Sequence, residues 1–182
     1  MDRPGSPDLR RTRLGVAAGM AAGLAVTLLA LLWPGLPSGP PDTGTRLSAW
    51  LGCDLVAAAW LAVAVGRLAR RRFFSDADID GALGPGTVRS RILQSLVQNT
   101  LEQTVLAIVA YGAWLLAPRP DAPIAVAWIA VGCFSAGRLL FFLGYGGGAA
   151  ARAMGFALTF YPTVGLLLAS AIRLLAPPPG LS

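Results

Sequence analysis

Five apolar runs, at residues 14–33, 48–66, roughly 92–117, 124–143 and 153–176, take up most of this 182-residue chain. A helix rises about 1.5 Å per residue, so each run is long enough to cross a hydrocarbon core about 30 Å thick. Inside that core every backbone N–H and C=O must find its partner within the protein, which leaves helices and closed barrels as the spanning structures. The runs are continuous and rich in Leu and Ala, without the short alternating segments of barrel strands. The predicted class is therefore an all-α integral membrane protein. Its composition agrees, with 55% hydrophobic and 13% charged residues, and the runs leave no room for a separate soluble domain.

The basic residues set the expected orientation. All 15 are arginine, so the net charge of +6 does not vary across the physiological range. Arg3, Arg10, Arg11 and Arg13 precede the first run, and Arg67, Arg70, Arg71, Arg72, Arg89 and Arg91 surround the loop between the second and third. Both stretches belong on the cytoplasmic side by the positive-inside rule. Alternating crossings then bring Arg138 and Arg152 to that side and leave Arg46, Arg119 and the C-terminus beyond Arg173 outside. Because the arginines are divided among short loops with few interleaved aromatics, topology accounts for the charge and no nucleic-acid partner is expected.

The first run follows basic residues and precedes Pro34, Pro37, Pro40 and Pro41, an arrangement shared with secretory signals. It is longer than a signal core and lacks a clear small-residue cleavage site, so a retained helix is expected. Cleavage would leave the other four crossings unchanged. Gly15, Gly19 and Gly23 recur every four residues along it and make a smooth face for a close-packed neighbour.

Other polar residues carry weaker signals. Cys53 and Cys133 lie within apolar runs, far apart and without histidines, and read as packing residues. Asp76, Asp78, Asp80 and Gly81 match the first half of a calcium loop, but its twelfth position is Thr87 instead of glutamate, so a charge-compensated loop is expected and no metal. Asp54, inside the second run, either meets a polar partner between helices or sits near the interface.

The third run is the most unusual. Arg91, Gln94 or Ser95, Gln98 and Glu102, the single glutamate of the chain, follow three- and four-residue steps and form one stripe, with Asn99 at its edge. From Val105 onward the run is almost wholly apolar. Polar groups at membrane depth are costly and usually functional, and a stripe confined to the cytoplasmic half suits a pocket open to the cytosol better than a transmembrane path. Interhelical hydrogen bonding is the competing reading. The segment RLLFFLGYGGGAAAR adds Arg138, Tyr145 and Arg152, seven residues apart, around a glycine-rich turn at the same level. Two fixed cations and a phenol suit a small anionic ligand, although arginines at helix ends also snorkel without one.

At these residues the chain resembles the MAPEG family, the membrane-associated proteins in eicosanoid and glutathione metabolism, as a divergent bacterial-type member. Asn99 and Glu102 match the family's N-x-x-E. Arg138, Leu139, Gly144, Tyr145 and Arg152 match its R-L-x-x-x-x-G-Y and following arginine in identity and spacing. The resemblance implies a MAPEG-like four-helix bundle over residues 48–176, preceded by a basic N-terminus (1–13) and an additional transmembrane helix (14–33), with a tail at 177–182. It further implies a homotrimer in a bacterial inner membrane, with glutathione or another low-molecular-weight thiol bound between subunits on the cytosolic side. Arg152 and Tyr145 fall on catalytic positions and Asn99, Glu102 and Arg138 on substrate-binding ones, with Arg91, one turn before Ser95, as a further candidate for substrate binding. The implied activity is a transferase or peroxidase acting on apolar electrophiles.

The chain also departs from the family pattern. Ser95 stands where an arginine is common, Phe141 where some members have tyrosine, Gln103 where some have an aromatic residue, and Gly146, Gly147 and Gly148 where bulkier polar residues are usual. A non-catalytic binding or scaffold protein is the alternative these departures leave open, ahead of a small transporter.

Overall fold

Side chains at the loop ends decide where several helices begin and stop. Asp42 accepts hydrogen bonds from Thr45 N at 2.9 Å and Thr45 Oγ1 at 2.6 Å, starting α2 (Thr43–Phe73), and Thr87 Oγ1 accepts from Ser90 N to start α3 (Val88–Leu116). The C-terminal end of α3 is held from α2, where Arg46 donates through Nε to Leu115 O at 2.7 Å and through Nη1 to Ala122 O at 3.1 Å. Leu115 O, in the last turn of α3, is one of the carbonyls a helix end leaves without an intrahelical partner, Ala122 O lies in the loop beyond it, and the buried guanidinium satisfies both. The remaining helices are α1 (Pro7–Leu32), α4 (Ile124–Gly144) and α5 (Gly148–Leu175), with a 3-10 turn at Tyr145–Gly147. The computed structural model describes residues 7–33, 36, 42–81, 84, 86–117 and 122–175, and among these there is no strand.

The helices outrun the apolar stretches read from the sequence. α1 begins at Pro7, so Arg10, Arg11 and Arg13 ride on its first turns, while α2 continues through Arg70, Arg71 and Arg72. Backbone pairing continues wherever caps permit, whereas hydropathy stops at the first polar residues. Arg3, Arg119, Pro34, Pro37, Pro40, Pro41 and the tail at 177–182 lie outside the described residues.

Three stretches among the described residues are long and apolar enough to cross a membrane: Leu9–Leu32, Thr43–Phe73 and Ile124–Leu175, the last spanning α4, the turn and α5. α3 is not among them. Its 29 residues reach about 44 Å at roughly 1.5 Å per residue, but the polar residues of its first half lower its hydropathy below that of a free-standing span. α3 packs against α2, α5 and α4, whose apolar faces shield much of it.

Helices consecutive in the chain alternate in direction. α2 and α3 are antiparallel, with Trp50 against Gly112 at one end and Arg72 Nη2 donating to Gln94 Oε1 at the other. α4 and α5 form an antiparallel hairpin whose turn includes Gly148 at φ +85°, a conformation that strongly favours glycine. α1 runs parallel to α5, its Gly15, Gly19 and Gly23 lying against Ala150, Met154 and Ala157. A Cβ on Gly19 would stand 3.0 Å from Met154 Cα, and one on Gly23 2.7 Å from Ala157 O, so only glycine permits this approach. The smooth face read from the sequence has found its neighbour.

The core lies among α2, α3 and α4, with Cys53, Ala57, Ala107, Ala110, Tyr111 and Phe134 fully buried. Cys53 and Cys133 are both free thiols. Asp54 is half-buried, and its Oδ1 has no hydrogen-bond partner among the described residues. In the loop between α2 and α3, buried Asp78 accepts from Arg71 Nε, Ser75 Oγ, Thr87 N and Thr87 Oγ1 at 2.7–3.0 Å. The carboxylate that imitates a calcium ligand is the hub that folds this loop back onto α3.

Candidate functional site

The polar stripe of α3 divides at Asn99. Ser95, Gln98 and Glu102 are exposed on the side facing away from the bundle, with Gln98 Nε2 donating to Glu102 Oε1 at 2.9 Å. Arg91 is also exposed and donates through Nη1 to Gly86 O at 3.3 Å. Asn99 is half-buried and turns inward.

There it meets Arg138 of α4, whose side chain is 0% exposed. Arg138 Nη1 donates to Asn99 Oδ1 at 2.9 Å and Nε donates to Thr159 Oγ1 at 3.1 Å, joining α4 to α3 and α5. Thr159 in turn donates its hydroxyl proton to Gly155 O at 2.9 Å. The guanidinium carbon lies 4.5 Å from the centroid of the Phe141 ring, an attraction strengthened by burial. Arg138 is therefore buried, bonded to α3 and α5, and not a cation open to solvent.

Above it, a cleft of about 360 Å³ is lined by Val16 and Met20 of α1, Asn99 of α3, Phe141 and Tyr145 at the end of α4, and Ala149, Arg152, Ala153, Phe156, Ala157 and Tyr161 of α5. Its polar end is built by the hairpin turn. The Arg152 guanidinium carbon stands 4.9 Å from the centroid of the Tyr145 ring, and that ring packs edge-on against Phe141 at 5.3 Å. No hydrogen bond or ion pair joins Arg152 to another described residue, so its five donors are available to a ligand.

Of the residues singled out in the sequence, Asn99, Tyr145 and Arg152 line this one cleft, with Arg138 directly below. Arg91 and Glu102 do not reach it within a single chain, because they project from the outward face of α3. Sequence reasoning missed Thr159, whose contact with Arg138 depends on how α4 packs against α5. It also missed Val16 and Met20, although each directly follows one of the glycines that mark the docking face of α1.

A second cleft, of about 440 Å³, lies where α2 ends and α3 begins, lined by Arg67, Arg70, Arg71, Phe74, Arg89 and Leu93. It gathers four of the arginines expected on the cytoplasmic side, Arg67, Arg70, Arg71 and Arg89. Among the described residues there is no group of three or more His, Cys, Asp or Glu side chains arranged to hold a metal ion.

No curated protein and no solved structure matches the chain. The family model of the MAPEG family matches residues 47–172, which takes in α3, α4, the hairpin turn, nearly all of α2 and most of α5, and leaves α1 outside. With a match over well over half of its length and an all-helical architecture, the chain belongs to the MAPEG family.

Proposed function

We propose that this protein is a membrane-embedded transferase or peroxidase that uses glutathione or another low-molecular-weight thiol against lipophilic electrophiles. One observation carries the reading: Arg152, stacked over Tyr145, presents its donors to a cleft that is polar at one end and apolar along its walls.

A guanidinium next to sulfur favours thiolate over thiol. Lowering a thiol pKa by about two units takes roughly 2.7 kcal/mol of differential stabilisation, within reach of an arginine partly removed from water. The thiolate then forms a C–S bond with an electrophilic carbon while the leaving group departs with its electron pair, or, for a conjugated acceptor, the displaced electron pair is protonated. Tyr145 can donate one hydrogen bond to the thiolate or to the developing anion. Asn99 supplies an amide beside it, held in orientation by Arg138.

Arg91 and Glu102 enter this reading through assembly. An exposed carboxylate at membrane depth costs about 3 kcal/mol in lipid, so the face bearing Ser95, Gln98 and Glu102 gains by meeting a second copy. In a homotrimer built on that face, Arg91 and Glu102 lie near a neighbour's cleft. The arginine-bearing ends of α1, α2 and α3 face the cytoplasm of a bacterial cell, with the distal end of α5 outside.

Purified protein in lipid nanodiscs, offered a panel of thiols and a chromogenic electrophile, tests this. Conjugation that depends on the thiol, and is mostly lost in Arg152→Ala with assembly intact, is the expected result. Absence of turnover with every thiol of the panel would overturn it. Thiol binding by calorimetry without turnover would favour the scaffold reading, which the serine at position 95 supports.

A further inference from the structure

α1 lies outside the part of the chain matched to the family, yet it lines the cleft that holds Arg152. Its docking on α5 dictates this. Gly15 and Gly19 press against Ala150, Ala153 and Met154, so the residues one step further around the helix, Val16 and Met20, sit at the edge of that contact and project over the cleft. Being four residues apart, they stack into one continuous apolar edge. Across the cleft, Phe156 and Tyr161 of α5 supply the facing apolar surface. α1 packs chiefly along α5, so the cleft has α1 on one flank and Asn99 of α3 on the other. A cleft of about 360 Å³ falls within the usual range for small-molecule sites.

We infer that the apolar end of this cleft, walled by Val16 and Met20 of α1, binds the hydrocarbon portion of a lipophilic ligand that slides in from the bilayer between α1 and α3, with its reactive end toward Arg152. The additional helix thereby serves as a ligand wall within the same chain. The inference takes only the nature of the reactive end from the proposed function, and the apolar end is read out separately.

The test uses full-length protein in phosphatidylcholine nanodiscs and a fatty acid carrying a photoreactive diazirine, with labelled residues mapped by mass spectrometry. Competition with unlabelled fatty acid separates saturable labelling from the bulk-lipid background. Saturable labelling is expected on Met20, Phe156 and Tyr161. Met20→Trp fills the wall and should weaken saturable labelling of Phe156 about tenfold, equivalent to roughly 1.4 kcal/mol in binding. Leu14→Trp, on a different face of α1 and about 9 Å closer to its N-terminal end at roughly 1.5 Å per residue, should leave it within about twofold, below roughly 0.5 kcal/mol on the same scale. Because Met20 is 44% exposed and Leu14 70% exposed, both variants can accommodate the ring without invading the core. Labelling that does not saturate, or that falls equally in both variants, would overturn the inference. Saturable labelling in a protein that turns over no thiol would sink the proposed activity and uphold the wall. Thiol turnover with unsaturable labelling would do the reverse.

Discussion

Arg138 and Asn99 are joined beneath the cleft, Nη1 donating to Oδ1 at 2.9 Å, from a guanidinium with no exposed surface. A buried charge costs several kcal/mol unless its donors are met; here Asn99 of α3 and Thr159 of α5 meet Nη1 and Nε and the Phe141 ring faces the guanidinium, while Nη2 has no hydrogen-bond partner among the described residues. Removing one partner should therefore cost more than the net value of one hydrogen bond. Asn99→Ala is expected to destabilise the fold by about 1–3 kcal/mol. The double variant Asn99→Ala/Arg138→Met should lose less than the sum of the single variants, with a coupling of roughly 1–3 kcal/mol. Unfolding measured in bicelles by steric trapping would show this, and strict additivity would refute the pairing.

The parts of this arrangement that were legible in sequence are those set by local chemistry. Run lengths gave the helices, and the glycine spacing of α1 gave a close contact, met by α5. Asn99, Arg138, Tyr145 and Arg152 stood out because polar groups are rare at such depth. What could not be read was which side of α3 faces the bundle. Asn99 and Glu102 are separated by about 60° on a helical wheel with roughly 3.6 residues per turn, and the bundle boundary falls between them. Pairing Arg138 with Thr159, or placing Met20 over the cleft, requires knowing how α5 packs, and no local spacing encodes that.

If Arg152 stabilises a thiolate, its loss should be a pH-dependent defect. Arg152→Ala is expected to lower kcat/KM about 100-fold near neutral pH, equivalent to roughly 2.7 kcal/mol. The deficit should shrink as pH rises toward the ordinary thiol value of about 8.5, where the thiolate forms unaided. Arg152→Lys keeps the charge but not the planar fork, and should fall between the two. Steady-state rates across pH would decide it. A deficit independent of pH would assign Arg152 to binding alone.

Asp78 gives the α2–α3 loop its own pH response. The backbone N–H of Thr87, then the Ser75 and Thr87 hydroxyls and Arg71, hold its carboxyl down to about 2 from an ordinary 3.8. The folded pKa is depressed, so the stabilisation is fully present above 3.8 and is lost as pH falls toward about 2. Asp78→Asn should accordingly exchange the amides at the start of α3 faster than the parent above that window, with the difference vanishing toward its lower end. Hydrogen exchange followed by mass spectrometry reads this, and a difference that persists at low pH would mean the loop is held by something else.

Gly137 and Gly155 let α4 and α5, the two halves of the hairpin that carries Arg138 and Arg152, approach closely. A Cβ on Gly137 would collide with Thr159 Oγ1 and stand 2.7 Å from Gly155 O, and one on Gly155 would collide with Phe141 N. The obstacles are largely backbone, so the hairpin must open to admit a methyl group. Gly137→Ala and Gly155→Ala are each expected to cost about 3 kcal/mol, the upper end of the usual overpacking range, and to weaken the Arg138–Thr159 bond. Gly132, on the same helix, has nothing within 4 Å of its Cβ position. Gly132→Ala should therefore stabilise α4 by up to about 1 kcal/mol, the helix-propensity gain alone. Opposite signs for the same substitution on one helix separate close packing from propensity. Destabilisation by all three, measured by the same unfolding assay, would mean that the spacing between α4 and α5 is not what these glycines protect.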